Sequence, residues 1–136
     1  MLAITGGGVS ISIYYKAQRK APLSQAESER ISDIAERYSV DSKIEELLRT
    51  GVGLNWESFD FRVNVSAAGL FKKGVVFEGA TKLPDNTENA SWEGVQHWCA
   101  CLTEIRRELP ECDWHVAVED HIIEWRPSTN SYDPAS

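Results

Sequence analysis

The first supersecondary unit is encoded by residues 9–38, VSISIYYKAQRKAPLSQAESERISDIAERY. The odd positions from Val9 to Tyr15 are apolar or aromatic, whereas Ser10 and Ser12 lie between them. This period of two, rich in β-branched and aromatic residues, predicts a strand with one buried face.

A helix is predicted directly after that strand. Ser24 stands three residues before Glu27, which is the spacing of a capping box at a helix N-terminus. Apolar or aromatic residues then recur at positions 31, 34, 35 and 38, so the helix has one apolar side. A short second helix is predicted from Asp41 or Ser42 and ends at Gly51.

The rest of the chain alternates strand and helix patterns. Further predicted elements are strands at 59–65 and 75–82, a helix at 90–109 ended by Pro110, and strands at 114–118 and 122–125. The β-α-β-β-α-β-β order predicts an α+β fold. It is a two-layer sandwich, a ferredoxin-like variant whose mostly antiparallel sheet carries the helices on one face. We expect a flexible lead at residues 1–8, one domain at 9–126, and a loosely ordered tail at 127–136.

Composition narrows the classes of function. The 136 residues include 14 Lys plus Arg and 21 Asp plus Glu, for a net charge of −7. Because phosphate contacts need clustered basic residues, this balance disfavours nucleic acid and anionic membranes and suits a cationic partner. No apolar run approaches the length of a membrane span, the N-terminus lacks a secretory pattern, and the three cysteines are an odd number. We therefore expect a cytoplasmic protein.

Acidic residues are concentrated near the predicted C-terminal hairpin. Strand alternation turns Asp113, His115 and Glu119 outward, and Asp120 and Glu124 lie close to them in sequence. This set is either an ordinary solvated face or a docking surface for a basic protein, in which complementary charge speeds encounter.

Five tryptophans are many for a chain of this length. Trp98 and Trp114 fall on apolar faces and are predicted to be core residues. Trp56, Trp92 and Trp125 lie at element ends or in loops and are candidates for partner contacts, because tryptophan is enriched at binding hot spots.

A metal site is the alternative hypothesis. His97, Cys101, Cys112 and His115 supply the residue types and the number of ligands of a tetrahedral zinc site. The opposing interpretation makes the cysteines small core residues and His115 an exposed strand residue. No nucleophile motif accompanies them, so we predict no catalytic residue and no cofactor.

Two segments carry a family resemblance. They are residues 12–24, SIYYKAQRKAPLS, and residues 98–107, WCACLTEIRR, which lead to WHVAV at 114–118. Together they resemble small bacterial immunity proteins of polymorphic and contact-dependent toxin systems. The resemblance implies a cytoplasmic domain that binds and blocks a cognate toxin, and it assigns no individual binding residue.

The leading hypothesis is therefore a non-enzymatic protein that occludes a basic toxin active site with its acidic residues and with Trp125 as an apolar anchor. The alternatives are a small metal- or ligand-binding enzyme or sensor that uses the His/Cys set, and an oligomeric scaffold that pairs through a sheet edge.

Overall fold

The computed structural model describes residues 10–65 and 74–135, and it has a five-stranded sheet with helices on one face. The helices are α1 (Gln25–Arg37), α2 (Asp41–Thr50) and α3 (Ala90–Glu108). The strands of the sheet are β1 (Ser12–Gln18), β2 (Phe61–Val63), β3 (Val75–Lys82), β4 (Asp113–Val118) and β5 (His121–Ile122). A separate two-stranded sheet contains β6 (Glu124–Arg126) and β7 (Ser131–Asp133).

The topology confirms the predicted fold class. The strands lie in the order β2-β3-β1-β4-β5, and every neighbouring pair is antiparallel. The first four strands have the order of a ferredoxin-like unit, and β5 extends the sheet beyond β4. The protein is therefore an α+β sandwich of the type that the element order indicated.

Strand β1 is central and follows the predicted alternation. Ile13, Tyr15 and Ala17 are buried towards the helices, and Tyr14 is exposed on the opposite side. A register shift lies between Ala17 and Gln18 in the pairing with β3.

The capping box at α1 is present as predicted. The Ser24 hydroxyl accepts from the Glu27 N–H at 3.0 Å, and the Glu27 carboxylate accepts from the Ser24 N–H at 2.9 Å. Arg19, at the end of β1, donates to both carboxylate oxygens of Glu27 and also pairs with Glu111. One arginine thus joins β1, the start of α1 and the segment before β4.

Aromatic rings fill the layer between sheet and helices. Trp98 of α3 is fully buried and stacks on Phe59, with ring centroids 5.1 Å apart. Phe59 in turn stacks on Tyr15 at 4.8 Å, and Phe77 packs against Trp114 at 5.5 Å. These contacts continue from α3 across β1 and β3 to β4.

Tyr15 and Gly79 share one closely packed site. The two residues are paired across β1 and β3, and the Tyr15 hydroxyl donates to the Asp60 carbonyl at 2.5 Å. The hydroxyls of Tyr15 and Thr81 lie 2.8 Å apart, and Thr81 Oγ1 accepts from the Asp60 N–H. A Cβ at Gly79 would collide with Asp60 and Tyr15, so only glycine fits at this position.

The C-terminal region differs from the prediction. The single strand expected at 122–125 is divided, because β5 pairs with β4 whereas β6 pairs with β7. Residues 127–136 were expected to be loosely ordered, yet β7 packs on α3 and Tyr132 is buried. Its N–H donates to Thr103 Oγ1 at 3.0 Å, and Arg106 donates to its hydroxyl. These side-chain partners compensate for the polar composition of the segment.

The flexible lead predicted at residues 1–8 lies outside the described residues. Within the described ranges, no helix combines the length and the apolar character that crossing a membrane requires.

We expect Gly79→Ala to destabilise the protein by about 1–3 kcal/mol, because the new methyl group overpacks the contact with Tyr15 and the backbone at Asp60. Urea denaturation measures the change in the free energy of unfolding. Gly51→Ala is the control, since it meets no atom within 4 Å and adds only the strain of a positive φ, 73°. Equal costs for the two variants would contradict the steric argument.

We expect Glu27→Gln to lower the free energy of unfolding at pH 7 by about 1–2 kcal/mol, because it removes the charge that pairs with Arg19. The hydrogen bonds from Arg19 and Ser24 lower the pKa of Glu27 from 4.5 to about 2. A lowered carboxyl pKa stabilises the fold above pH 4.5, and this contribution disappears as the pH falls towards 2.

The difference between wild type and Glu27→Gln should therefore shrink over that pH range in chemical denaturation. Glu36→Gln, at an exposed position of α1, is the matched control. A difference that stayed constant from pH 7 to pH 2.5 would refute the assigned role of the charge.

Candidate interaction surface

The face of the sheet opposite α1 and α3, called here the open face, carries an apolar row. Cross-strand pairing aligns Ala80 with Tyr14, Tyr14 with Ala117, and Ala117 with Ile122. Tyr14 is 42% exposed and Ile122 is 53% exposed, whereas Ala117 is buried between them. The row therefore presents two large apolar side chains to solvent on a rigid support.

Charged residues border the apolar row on both sides. On one side, cross-strand pairing aligns Arg62 with Glu78, Glu78 with Lys16, and Lys16 with His115. On the other side, Ser12 pairs with Lys82, and the Ser12 carbonyl accepts from the Glu119 N–H. The open face thus has an apolar centre and a polar rim, which is the usual arrangement of a protein interface.

The predicted acidic residues are placed along the β4 and β5 side of this face. Glu119 and Asp120 form the turn between β4 and β5, and Asp113 lies at the other end of β4, about 20 Å away along the strand. Glu124 follows on β6, and all four residues are exposed. Asp113 and His115 face outward as the alternation predicted. The acidic residues therefore line a border and do not form one compact cluster.

These carboxylates lack local compensation. Among residues 10–65 and 74–135, no Lys or Arg forms an ion pair with Asp113, Glu119, Asp120 or Glu124. Some other carboxylates are paired, for example Glu108 with Arg30 at 2.5 Å, whereas Glu45 and Glu46 of α2 likewise have no ion pair among the described residues. The negative potential on this side of the sheet is therefore open to a positively charged partner.

The three tryptophans proposed as contacts have different environments. Trp56 is only 8% exposed and packs against Trp98 and His97, so it belongs to the core and is removed from the candidate interface. Trp125 is half-buried beside Tyr132, with the Arg106 guanidinium 4.3 Å from its ring centroid. Trp92 is 42% exposed on α3.

Tyr14 and Ile122 were missed as interface candidates by the sequence reasoning. For Tyr14, the sequence does contain the relevant pattern, because this residue alternates with the buried Ile13 and Tyr15 and so points to the opposite side of the strand. Its exposure follows only once β1 is known to be central, with α1 and α3 on the opposite side.

The alternative metal ligands are not brought together. His97 lies on α3 with its Nε2 2.8 Å from the Tyr38 carbonyl oxygen, and burial lowers the pKa of its ring. Cys101 is buried in the core, Cys112 lies near Arg19, and His115 is on the open face. The described ranges contain no cluster of three or more His, Cys, Asp or Glu residues suited to a metal ion.

The three thiols are poor nucleophiles where they stand. Burial raises the pKa of Cys99 and Cys101 to about 12 and that of Cys112 to about 11. Because the thiolate is the reactive form, these groups are protonated and inert at neutral pH.

A second surface feature is a groove of about 330 Å³ between α1 and α3. Four of its six charged residues are already matched, since Arg30 pairs with Glu108 and Arg37 pairs with Glu104 at 2.7 Å. The groove therefore offers a partner less unpaired charge than the border of β4 and β5.

Comparison with known proteins finds no matching family model, no matching curated protein and no matching solved structure. The function must therefore be argued from the geometry of this chain.

We expect thiol reagents to label none of the three cysteines in the native protein at pH 7 and all three after denaturation, because burial keeps them protonated and inaccessible. Counting adducts by mass spectrometry measures the number of modified thiols. Rapid labelling of one thiol under native conditions would contradict the placement and revive a redox or catalytic hypothesis.

Proposed function

We propose that the protein is a non-enzymatic inhibitor that binds a cognate bacterial toxin and occludes a basic active site. The observation that carries this proposal is the uncompensated acidic border of β4 and β5 beside the exposed Tyr14 and Ile122. A basic cleft, such as the phosphate site of a nuclease, is the complementary surface.

The two parts of the surface have different physical roles. Exposed carboxylates such as Glu119 and Asp120 attract a cationic protein over several ångströms and accelerate association. The apolar side chains of Tyr14 and Ile122 lose their water on contact and supply most of the binding free energy. Inhibition needs no chemistry beyond this, because a bound protein excludes the substrate.

The resemblance to immunity proteins supports the same proposal. Part of the resembling segment SIYYKAQRKAPLS forms β1, which supplies Tyr14, and the segment WHVAV forms β4. An immunity protein meets its toxin inside the cell, so we propose action in the cytoplasm. The protonated thiols and the separation of His97 from Cys112 favour a binding role over a metal-dependent or nucleophilic one.

A co-expression experiment tests the function itself. Each neighbouring reading frame of the native gene is expressed with and without this chain, and surviving cells are counted. We expect one neighbour to kill when expressed alone and to be harmless when this chain is present. If no neighbour is toxic, or if the chain rescues no toxic neighbour, the proposed function is wrong.

A charge-neutralised variant tests the surface. We expect Glu119→Gln with Asp120→Asn to slow association with the toxin about tenfold at low salt and much less at 0.5 M salt, since screening removes long-range attraction. Stopped-flow fluorescence measures the rate.

Glu45→Gln with Glu46→Gln is the matched control, because it removes two adjacent exposed carboxylates from α2. If both double variants slow association equally, net charge alone steers the partner and the assigned surface is incorrect.

A further inference from the structure

The open face is complementary to itself as well as to a cationic protein. We propose that two copies of the chain associate through their open faces in a twofold dimer, with the symmetry axis along the apolar row of Ala80, Tyr14, Ala117 and Ile122. The partner of this surface is therefore a second copy of the same chain when no other partner is bound.

The first argument is the arrangement of charge about the apolar row. On β3, Glu78 and Lys82 lie two residues to either side of Ala80. A twofold axis along the row reverses the strand direction, so Glu78 of one copy faces Lys82 of the other. The symmetry makes this contact twice, and opposite charges at facing positions stabilise an interface.

On β4, the twofold axis again places unlike groups opposite each other. His115 and Glu119 lie two residues to either side of Ala117, so the imidazole of one copy faces the carboxylate of the other. On β1, Lys16 faces the uncharged Ser12.

A twofold axis along the strands would bring two like charges together at the centre of the interface. It would place Lys16 of one copy against Lys16 of the other, because β1 lies at the centre of the face. That axis would also oppose unlike charges, Glu78 with His115 and Lys82 with Glu119. The Lys16 contact alone therefore favours the axis along the apolar row, and either axis keeps the strands of the two sheets aligned, as in face-to-face sheet packing.

The second argument is the exposed apolar surface. Tyr14 and Ile122 lie on the axis and would each meet their own copy, so that both exposed side chains leave water. Strands spaced about 4.8 Å apart give a face roughly 20–25 Å wide, of which only β3, β1 and β4 are about 20 Å long. Two such faces bury somewhat less than about 1,000 Å². This area is at the lower limit of specific interfaces, so we expect a dimer with a dissociation constant of tens of micromolar.

Glu78 and Lys82 already have ion-pair partners within the chain. Glu78 lies 3.7 Å from Arg62, and Lys82 lies 3.6 Å from Glu57. Each contact between copies is therefore shared with an ion pair inside the chain, and it adds less than a contact between two unpaired charges. If the proposed function is correct, the dimer and the toxin compete for one face, and this consequence alone rests on that function.

Sedimentation velocity between about 5 and 500 μM tests the proposal without any toxin. We expect the wild type to change from monomer to dimer over this range. Glu78→Lys should raise the dissociation constant at least about tenfold, because it opposes two lysines twice. Adding Lys82→Glu to that variant should restore the dimer, because the facing charges are again opposite.

Glu36→Lys is the matched control, since it makes the same change of charge on α1, away from the open face. Circular dichroism verifies that each variant is folded. A wild type that stays monomeric up to 500 μM, or a double variant no better than Glu78→Lys, would overturn the proposal. Because no partner is used, this failure is distinct from a failure of the toxin rescue.

Discussion

The Tyr15 side chain lies against Gly79 of the neighbouring strand, and this contact holds three parts of the chain together. Its hydroxyl reaches the backbone of Asp60 and the hydroxyl of Thr81, so β1, β3 and the segment entering β2 are joined at one point. A methyl group at Gly79 has no space there. The register between β1 and β3 therefore depends on the large side chain of Tyr15 and on the absence of a side chain at Gly79.

This register has consequences on both faces of the sheet. Towards the helices, it places Tyr15 where its ring stacks on Phe59, which in turn stacks on Trp98 of α3. Towards solvent, it aligns Tyr14 with Ala80. Because side chains alternate along a strand, the packing that buries one set necessarily assembles the other. The residues of the candidate interface are thus positioned by the same strand pairing that packs the core.

The pairing of charged side chains also differs between the helix-covered side of the sheet and the open face. Some carboxylates of the helices are paired with arginines, as Glu27 is with Arg19 and Glu104 is with Arg37, whereas others, such as Glu45 and Glu46 of α2, have no ion pair among the described residues. Those bordering β4 and β5 have no such partner among the described residues. Paired charges contribute to the fold, whereas unpaired exposed charges contribute mainly to long-range attraction. This difference is the reason to assign binding to the open face and not to the groove between α1 and α3.

The sequence by itself determined the elements and much of their order. The alternation around Ile13 and Tyr15, the capping box of Ser24 and Glu27, and the outward placement of Asp113 and His115 all follow from local periodicity and local hydrogen bonds. It did not reveal that Trp56 is a core residue or that Tyr132 anchors a C-terminal strand on α3. Both residues lie in polar surroundings in the sequence, and their burial depends on partners far along the chain. Only the tertiary structure decided which strand is central, which face is open, and that His97, Cys101, Cys112 and His115 are kept apart, because these are properties of long-range packing.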